Sequence, residues 1–315
     1  MTANVTLTAA SRSILLTLQG TEQATASTQN ALATGEKVSS VTDNAVAYFQ
    51  AQALNNRANS FTTYKSNIDQ GVSALQAALT ATSGVSSILQ QMKGIVQTAE
   101  SESASQRASA TSQFKQLASQ AAQLVQDASY QGLNLLSSSS NDLTVQFSER
   151  ASASYLQVTG FALVNGASSA ASSENLFTDV AAYDSTMTFQ FSVAVTDSTG
   201  THAYTGFDAM DVTDPTSGAN IQNAYNYTVT RLNNAISNLQ GISASLGTNV
   251  AILQTRLSFT NDYVNNLTDG ANKLTLADLN EEGANLQALQ TRQQLGIQAL
   301  SISGQQQQAI LQLLH

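Results

Sequence analysis

Few side chains of this sequence have the types and spacing needed for chemistry. The histidines His202 and His315 could act as acid–base groups or metal ligands, but surface positions without a chemical role are the favoured interpretation. Asp208, Asp211 and Asp214 recur every three residues and could hold a hard cation, although the spacing is not that of an EF-hand and solvated loop acids fit it better. No HExxH, GxSxG or phosphate-loop motif occurs. The residues therefore give no support for an enzyme.

Aromatic residues suggest a second kind of site. Tyr183, Tyr204, Tyr225 and Tyr227 lie in or near a Ser/Thr-rich segment and could stack on sugar rings, but packing within a small β module is the favoured interpretation. O-linked glycans on the same segment are a further hypothesis. An intact-mass measurement that gives the bare polypeptide mass would exclude them.

Composition narrows the class of protein. The chain has 315 residues, 10% charged residues, a net charge of −9, no Cys and one Pro. The negative charge argues against nucleic acid and anionic membranes as partners. No run approaches about 20 apolar residues, so no membrane span is expected. No secretory signal is recognised at the N-terminus, which predicts a cytoplasmic protein or export by a route without a cleaved signal.

Both ends of the chain carry a sparse 4-3 repeat that predicts helices in need of a partner helix. About half of the repeat positions are Ser, Thr, Gln or Gly, so each helix alone should be marginal in water. Two weak, complementary ends indicate termini that pair with each other and with neighbouring copies. The seam positions are Leu7, Ser11, Ile14, Leu18, Thr21, Thr25, Thr28 and Leu32, then Leu289, Gln293, Gly296, Leu300, Ser303, Gln307, Ile310 and Leu314.

Helical periodicity dominates the interior as well. It predicts a long helix that is capped by Asp43 and ends near Ala99, a turn over 100–112, and a shorter helix with Phe114 on its core face. The longest pattern, 221–274, contains a stutter near Gly247. A break is predicted over 276–283, and Glu281 and Glu282 should favour the start of the last helix through its dipole.

A period of two appears between the helices. Leu143 to Phe147 and Leu156 to Val158 predict a β-hairpin packed on the helices. A second strand is predicted from Met187 to Val195, followed by a turn and a returning strand from His202 to Phe207.

The order of the elements is palindromic, which predicts a mainly α fold with long antiparallel helices. Residues 1–40 with 283–315 would form a terminal coiled coil, and 41–164 with 217–282 a core helical bundle with the β-hairpin. Residues 165–216 would form a small β-rich insert on the surface.

Several motifs resemble those of bacterial flagellin. LATGEKVSS with Asp43-Asn44-Ala45 is similar to the flagellin sequence that enters the first core helix, and YQGLNLL at 130–136 is similar to its (Y/F)NGxNLL turn. Leu246-Gly247, Asn266-Leu267 and Ala277-Asp278 resemble the returning core helix and its exit, and the Gln-rich C-terminal segment resembles the last helix of the family. The resemblance covers about 1–160 and 220–315.

The resemblance implies a secreted subunit of the extracellular flagellar filament, with no cofactor. Terminal helices of such a subunit form the inner tube, the core makes contacts outside it, and the insert faces the medium. Partners would be many copies of the chain, hook-associated and cap proteins, the type III export apparatus and a flagellin chaperone. The interface positions would include Leu7, Ile14, Leu18, Leu32, Leu289, Leu300, Ile310 and Leu314.

One segment departs from the family pattern. The stretch that a toll-like receptor engages in flagellins usually reads LQRxRE, whereas this chain has Leu89, Gln91, Lys93 and Gly94 there, without the usual Arg and Glu. Weak recognition is therefore expected.

Alternatives remain open at this point. A hook–filament junction protein shares the terminal helices, and a flagellin-like surface protein could bind polysaccharide. A soluble coiled-coil protein outside the flagellum is a more distant alternative.

Overall fold

A computed structural model describes residues 9–149, 154–163, 181–183, 189–191, 193–197, 200–204 and 218–313. Contacts divide the chain into unit 1, Met1–Ser60 with Asp262–His315, and unit 2, Phe61–Asn261. The elements in chain order are α1 (Ala9–Thr34), α2 (Ala45–Ala99), α3 (Ala104–Asp127), β1 (Leu143–Gln146), β2 (Tyr155–Val158), β3 (Ala181–Tyr183), β4 (Phe189–Phe191), β5 (Val193–Asp197), β6 (Gly200–Tyr204), α4 (Gly218–Thr275) and α5 (Leu279–Leu313).

In unit 1, helix α1 ends where the sequence predicts, at Gly35. This glycine has φ 75°, and its N–H donates to Ala31 O at 2.8 Å. A positive φ at that position favours glycine and stops the helix. Backbone bonds then join the two interhelical loops, because Lys37 N donates to Thr275 O at 2.8 Å and Ala277 N to Gly35 O at 2.9 Å.

The start of α2 corrects one prediction. The cap is Asn44, whose Oδ1 accepts from Ala47 N at 3.1 Å, and not Asp43. Asp43 instead closes the preceding loop, since its Oδ2 accepts from Ser40 N at 2.9 Å and Ser39 N at 3.1 Å. Hydrogen bonds from the backbone and side chain of Ser40, followed by those from Ser39, lower the pKa of Asp43.

The core of unit 2 lies between α2, α3, α4 and the β1–β2 hairpin. An added Cβ at Gly71 would lie 2.6 Å from Val145 Cγ2 and 3.3 Å from Leu253 Cδ1, so the hairpin and α4 both approach α2 closely at this glycine. The largest fully buried side chains are Tyr225, Phe114, Ile68, Leu75, Leu89, Met92, Leu135, Leu136, Leu163 and Leu232.

Two predicted breaks are shorter than expected. The turn predicted over 100–112 occupies only the residues between Ala99 and Ala104, and Gln106 Oε1 accepts from Ser103 N at 3.1 Å, as in a capping box. The break predicted over 276–283 ends at Asp278, whose Oδ1 accepts from Asn280 N at 2.9 Å. Glu281 and Glu282 therefore lie in the first turn of α5, where their charge favours the helix.

The β1–β2 hairpin is confirmed, with Val145 opposite Leu156 in an antiparallel pair. Of the strand predicted from Met187 to Val195, the described residues 189–191 and 193–195 are in strands, and the others lie outside the described residues. Two strands occur there, with β4 paired to β3 and β5 paired to β6. The returning strand begins at Gly200, and His202 pairs with Val195.

One helix among the described residues, α2, is long and apolar enough to cross a membrane by length and composition. The sequence had predicted no such helix. Ile68, Leu75 and Leu89 of α2 are fully buried in the core of unit 2. Core helices of this kind meet the same criterion as membrane spans.

Candidate assembly interface

The predicted seams of α1 and α5 face each other in unit 1. Ser11 Oγ lies 2.9 Å from Ser303 Oγ, and an added Cβ at Gly296 would lie 2.7 Å from Leu18 Cδ1. The contact residue on α5 moves from Ser303 back to Gly296 as α1 advances from Ser11 to Leu18, so the two helices are antiparallel. Ser11, Thr21 and Thr28 are buried, and the remaining described seam positions are half-buried: Ile14, Leu18, Thr25, Leu32, Leu289, Gln293, Gly296, Leu300 and Ser303.

Three of the predicted interface positions have no described side chain. Leu7 and Leu314 lie outside the described residues. Ile310 lies in α5, but its side chain is not among those described. The role of all eight predicted interface positions in contacts between subunits stays a prediction.

The hydroxyls of Thr21 and Thr25 in the α1 seam are satisfied within α1 itself. Thr21 Oγ1 donates to Thr17 O, and Thr25 Oγ1 donates to Thr21 O, both at 2.8 Å. Thr17 Oγ1 likewise donates to Ser13 O at 2.9 Å. Because these hydroxyls already donate to a carbonyl one turn earlier, they need no acceptor on α5. The seam therefore contains many polar residues, but Thr21 and Thr25 do not require hydrogen bonds to α5.

A second set of apolar residues on α1 and α5 lies away from the seam. Leu16, Leu295, Ile297 and Ile302 are each more than half exposed. Sequence reasoning missed these residues because it followed only the 4-3 positions. The sequence does identify them as large apolar residues outside the 4-3 positions of helices that carry very few charges.

Another exposed apolar set lies near the interhelical loops of unit 1. Val46 and Phe49 on the first turns of α2 are 67% and 57% exposed, and Leu279 at the start of α5 is 52% exposed. Phe49 stacks edge-on against Tyr48, with the ring centroids 5.7 Å apart. Isolated exposed apolar residues are ordinary, so these side chains are accessible to a partner but do not by themselves indicate one.

The family-like turn at 130–136 fixes the entry to the hairpin in unit 2. Gln131 and Gly132 have φ of 50° and 85°, and Tyr130 and Leu133 exchange two backbone bonds of 2.9 and 3.0 Å. Asn134 is buried and donates from Nδ2 to Val125 O at 2.7 Å and Gln126 O at 2.9 Å at the end of α3. The turn thus ties the end of α3 to the segment that leads into β1.

We call residues 89–94, which align with the stretch that a toll-like receptor engages in flagellins, the receptor-like segment. Only part of this segment is exposed at the surface. Gln91 and Gly94 are exposed, Lys93 is half-buried, and Leu89 is fully buried in the core. The two positions where the family usually has Arg and Glu are therefore accessible in unit 2.

The other candidate residues are not brought together into a site. Within the described part of the chain, no three His, Cys, Asp or Glu side chains converge as metal ligands would. His202 lies in β6, whereas His315, Asp208, Asp211 and Asp214 fall outside the described residues. Tyr225 is buried and donates to Ala99 O at 3.3 Å, which is a packing role.

Comparison with known proteins bears on this helical arrangement. The family model for the bacterial flagellin N-terminal helical region matches residues 5–141, and that for the C-terminal helical region matches residues 221–314. The two models together cover most of the chain. It belongs to the bacterial flagellin family.

Two flagellins that are similar in sequence agree with this assignment. Flagellin FljK of Caulobacter vibrioides is 28% identical over 95% of this chain and 94% of its own length. A flagellin of Brucella melitensis is 25% identical over 99% of both chains. The crystal structure of Bacillus cereus flagellin matches with a TM-score of 0.42 and 16% identity, over 62% of this chain and 88% of that chain.

As a flagellin, the chain is a structural subunit of the extracellular flagellar filament. Copies of the subunit polymerise into this filament, which serves motility. The family models fall on the predicted helical parts, and neither covers residues 142–220.

Proposed function

We propose that the α1–α5 pair is the segment through which copies of this flagellin pack at the centre of the filament. The observation that carries this proposal is the set of large apolar side chains that the pair leaves exposed outside its seam. One set of side chains fills the seam within the subunit, and Leu16, Leu295, Ile297 and Ile302 remain exposed for neighbours. Covering them in the filament would add apolar burial that the isolated subunit lacks.

The seam of the pair supports a marginal state before assembly. No described side chain of α5 is buried, and the buried residues of α1 are small, namely Ser11, Thr21, Thr28 and Ala31. Such a seam buries little apolar area, so each terminal helix depends on its neighbours for stability. We infer that the termini order on polymerisation.

This proposal also assigns a location in the filament to each part of the chain. Residues 1–40 and 283–315 would form the inner tube, 41–164 and 217–282 the surrounding core, and 165–216 the outward-facing insert. Export through the flagellar type III channel with a chaperone, and contacts with hook-associated and cap proteins, are proposed on the family resemblance. The family is structural, so we assign the chain no catalytic role.

Charge substitutions in the seam test the assembly role. Leu18→Asp and Leu300→Asp each place a carboxylate at a half-buried seam position, where an unpaired charge is unfavourable. Both variants should fail to polymerise in seeded reassembly followed by electron microscopy. The thermal unfolding of the unit 2 core, followed by circular dichroism, should remain as in the wild type. Gln97→Asp, at an exposed position of α2 outside the α1–α5 pair, is the control. Normal filaments from both seam variants would refute the proposal.

A further inference from the structure

The two interhelical loops of unit 1 are joined by main-chain hydrogen bonds. Residues 35–37 and 275–277 meet in an isolated antiparallel bridge, with Glu36 opposite Leu276. These segments exchange main-chain bonds of 2.8 and 2.9 Å, and we call them the loop bridge. Because a main-chain donor and acceptor bond well only at about 2.7–3.2 Å, the loop bridge does not let one segment slide along the other.

The seam of the α1–α5 pair continues the alignment of the loop bridge. Leu18 lies against Gly296, and Glu36 lies opposite Leu276. The stretch from Leu18 to Glu36 is nearly as long as the stretch from Leu276 to Gly296. Helices are stiff and rise about 1.5 Å per residue, so a fixed point at one end can determine which residues face each other along the whole pair.

The seam itself specifies its register weakly. Thr21 and Thr25 donate within their own helix, so both hydroxyls would stay satisfied if α1 were displaced along α5. A displacement by one heptad, about 10 Å, would also preserve the 4-3 pattern. Leu18 would then face Ser303, which is small like its present neighbour, and the bond between Ser11 and Ser303 would be lost.

We propose that the loop bridge, more than the side chains of the seam, sets the register of the α1–α5 pair. The register decides where Leu16 on α1 lies relative to Leu295 and Ile297 on α5, all of which are exposed. Its effect on assembly rests on the proposed function, since a displaced pair presents these side chains to neighbouring copies in the wrong positions.

Disulfide trapping measures the register, because the chain has no Cys. The native-register reporter is Ser11→Cys with Ser303→Cys, since the two hydroxyl oxygens lie 2.9 Å apart. The displaced-register reporter is Thr28→Cys with Gln293→Cys, two seam positions that face each other after a displacement by one heptad. Each reporter is assembled on wild-type filament seeds under reducing conditions and then oxidised. Mass spectrometry of filaments mixed with isotope-labelled subunits separates disulfides within one chain from those between chains.

Proline substitutions remove the loop bridge. Lys37→Pro combined with Ala277→Pro eliminates the N–H groups of its two short bonds. The ratio of displaced to native disulfide should then rise about tenfold, equivalent to about 1.4 kcal/mol. Val41→Pro is the matched control, because it places proline in the turn closed by Asp43 N and Ser40 O and removes neither bond. Its ratio should equal that of the wild-type loops.

A rescue experiment covers the case in which the double proline variant does not assemble. The disulfide between positions 11 and 303, formed before polymerisation, fixes the register without the loop bridge, so assembly should return. The proposal is overturned if assembly does not return, or if the double proline variant has the same disulfide ratio as Val41→Pro. Either result leaves the α1–α5 pair intact. Filaments with native loops that form neither disulfide would instead refute the pairing of α1 with α5, on which the proposed function depends.

Discussion

The contact between Leu18 and Gly296 gives the most specific prediction for the α1–α5 pair. Glycine inside a helix is less favourable than alanine by about 1 kcal/mol, so Gly→Ala normally stabilises. An alanine methyl at 296 would lie 2.7 Å from Leu18 Cδ1, whereas carbon atoms in contact prefer about 3.5–4.0 Å. Leu18 or the whole of α1 must therefore move by about 1 Å.

The magnitudes decide the outcome. Holding Leu18 away from its preferred rotamer costs about 0.5–1.5 kcal/mol, which offsets the helix-propensity gain of Gly296→Ala and leaves a net effect near zero. Gly296→Val adds two methyl groups at the same contact and should destabilise the pair by about 1–3 kcal/mol. Gly304→Ala and Gly283→Ala are the controls, because an added Cβ at either position meets nothing within 4 Å.

The assay is the temperature at which reassembled filaments dissociate, followed by light scattering, with hydrogen exchange of the α1 amides as a local readout. The expected order of stability is Gly304→Ala above wild type, Gly296→Ala close to wild type, and Gly296→Val below it. Equal stabilisation by Gly296→Ala and Gly304→Ala would show that Leu18 does not pack on residue 296. The antiparallel register described for the pair would then be wrong.

Two further predictions concern unit 2. Gln131 has φ 50°, a conformation that asparagine adopts more readily than glutamine, so Gln131→Asn should raise the free energy of unfolding by about 0.5–1 kcal/mol in thermal denaturation; an unchanged or lower value would contradict the left-handed turn. We also propose that the receptor-like segment is poorly recognised, and Gln91→Arg with Gly94→Glu should increase activation in a toll-like receptor reporter assay, because both positions are exposed; no increase would exclude this segment as the cause.

Periodicity in the sequence was enough to predict the helices and the hairpin, since both depend on which side chains face a core. Capping was harder. Asp43 and Asn44 are adjacent residues of types that both cap helices, and only the bond from Ala47 N to Asn44 Oδ1 distinguishes them. The polar run over 100–112 predicted a turn because most of the first turns of α3 face water, with Arg107, Ala110 and Thr111 as its buried residues there.

The candidate interface shows the same limit. The 4-3 positions predicted which faces of α1 and α5 meet, but not the register that pairs Ser11 with Ser303. Thr21 and Thr25 donate hydrogen bonds within their own helix, so they do not require a matching polar residue on α5 from which the register could be predicted. The bond from Lys37 N to Thr275 O involves only main-chain atoms and has no side-chain signature.

The two units differ in a way that suits reversible assembly. Unit 2 buries large side chains completely, among them Phe114, Leu89 and Leu232, so its fold does not depend on neighbours. The α1–α5 pair instead buries small and polar residues and leaves Leu16 and Leu295 exposed. If the termini order on polymerisation, as we propose, the free energy for ordering them comes from contacts between copies in the filament. Such a subunit would leave the filament and lose its terminal helices without unfolding its core.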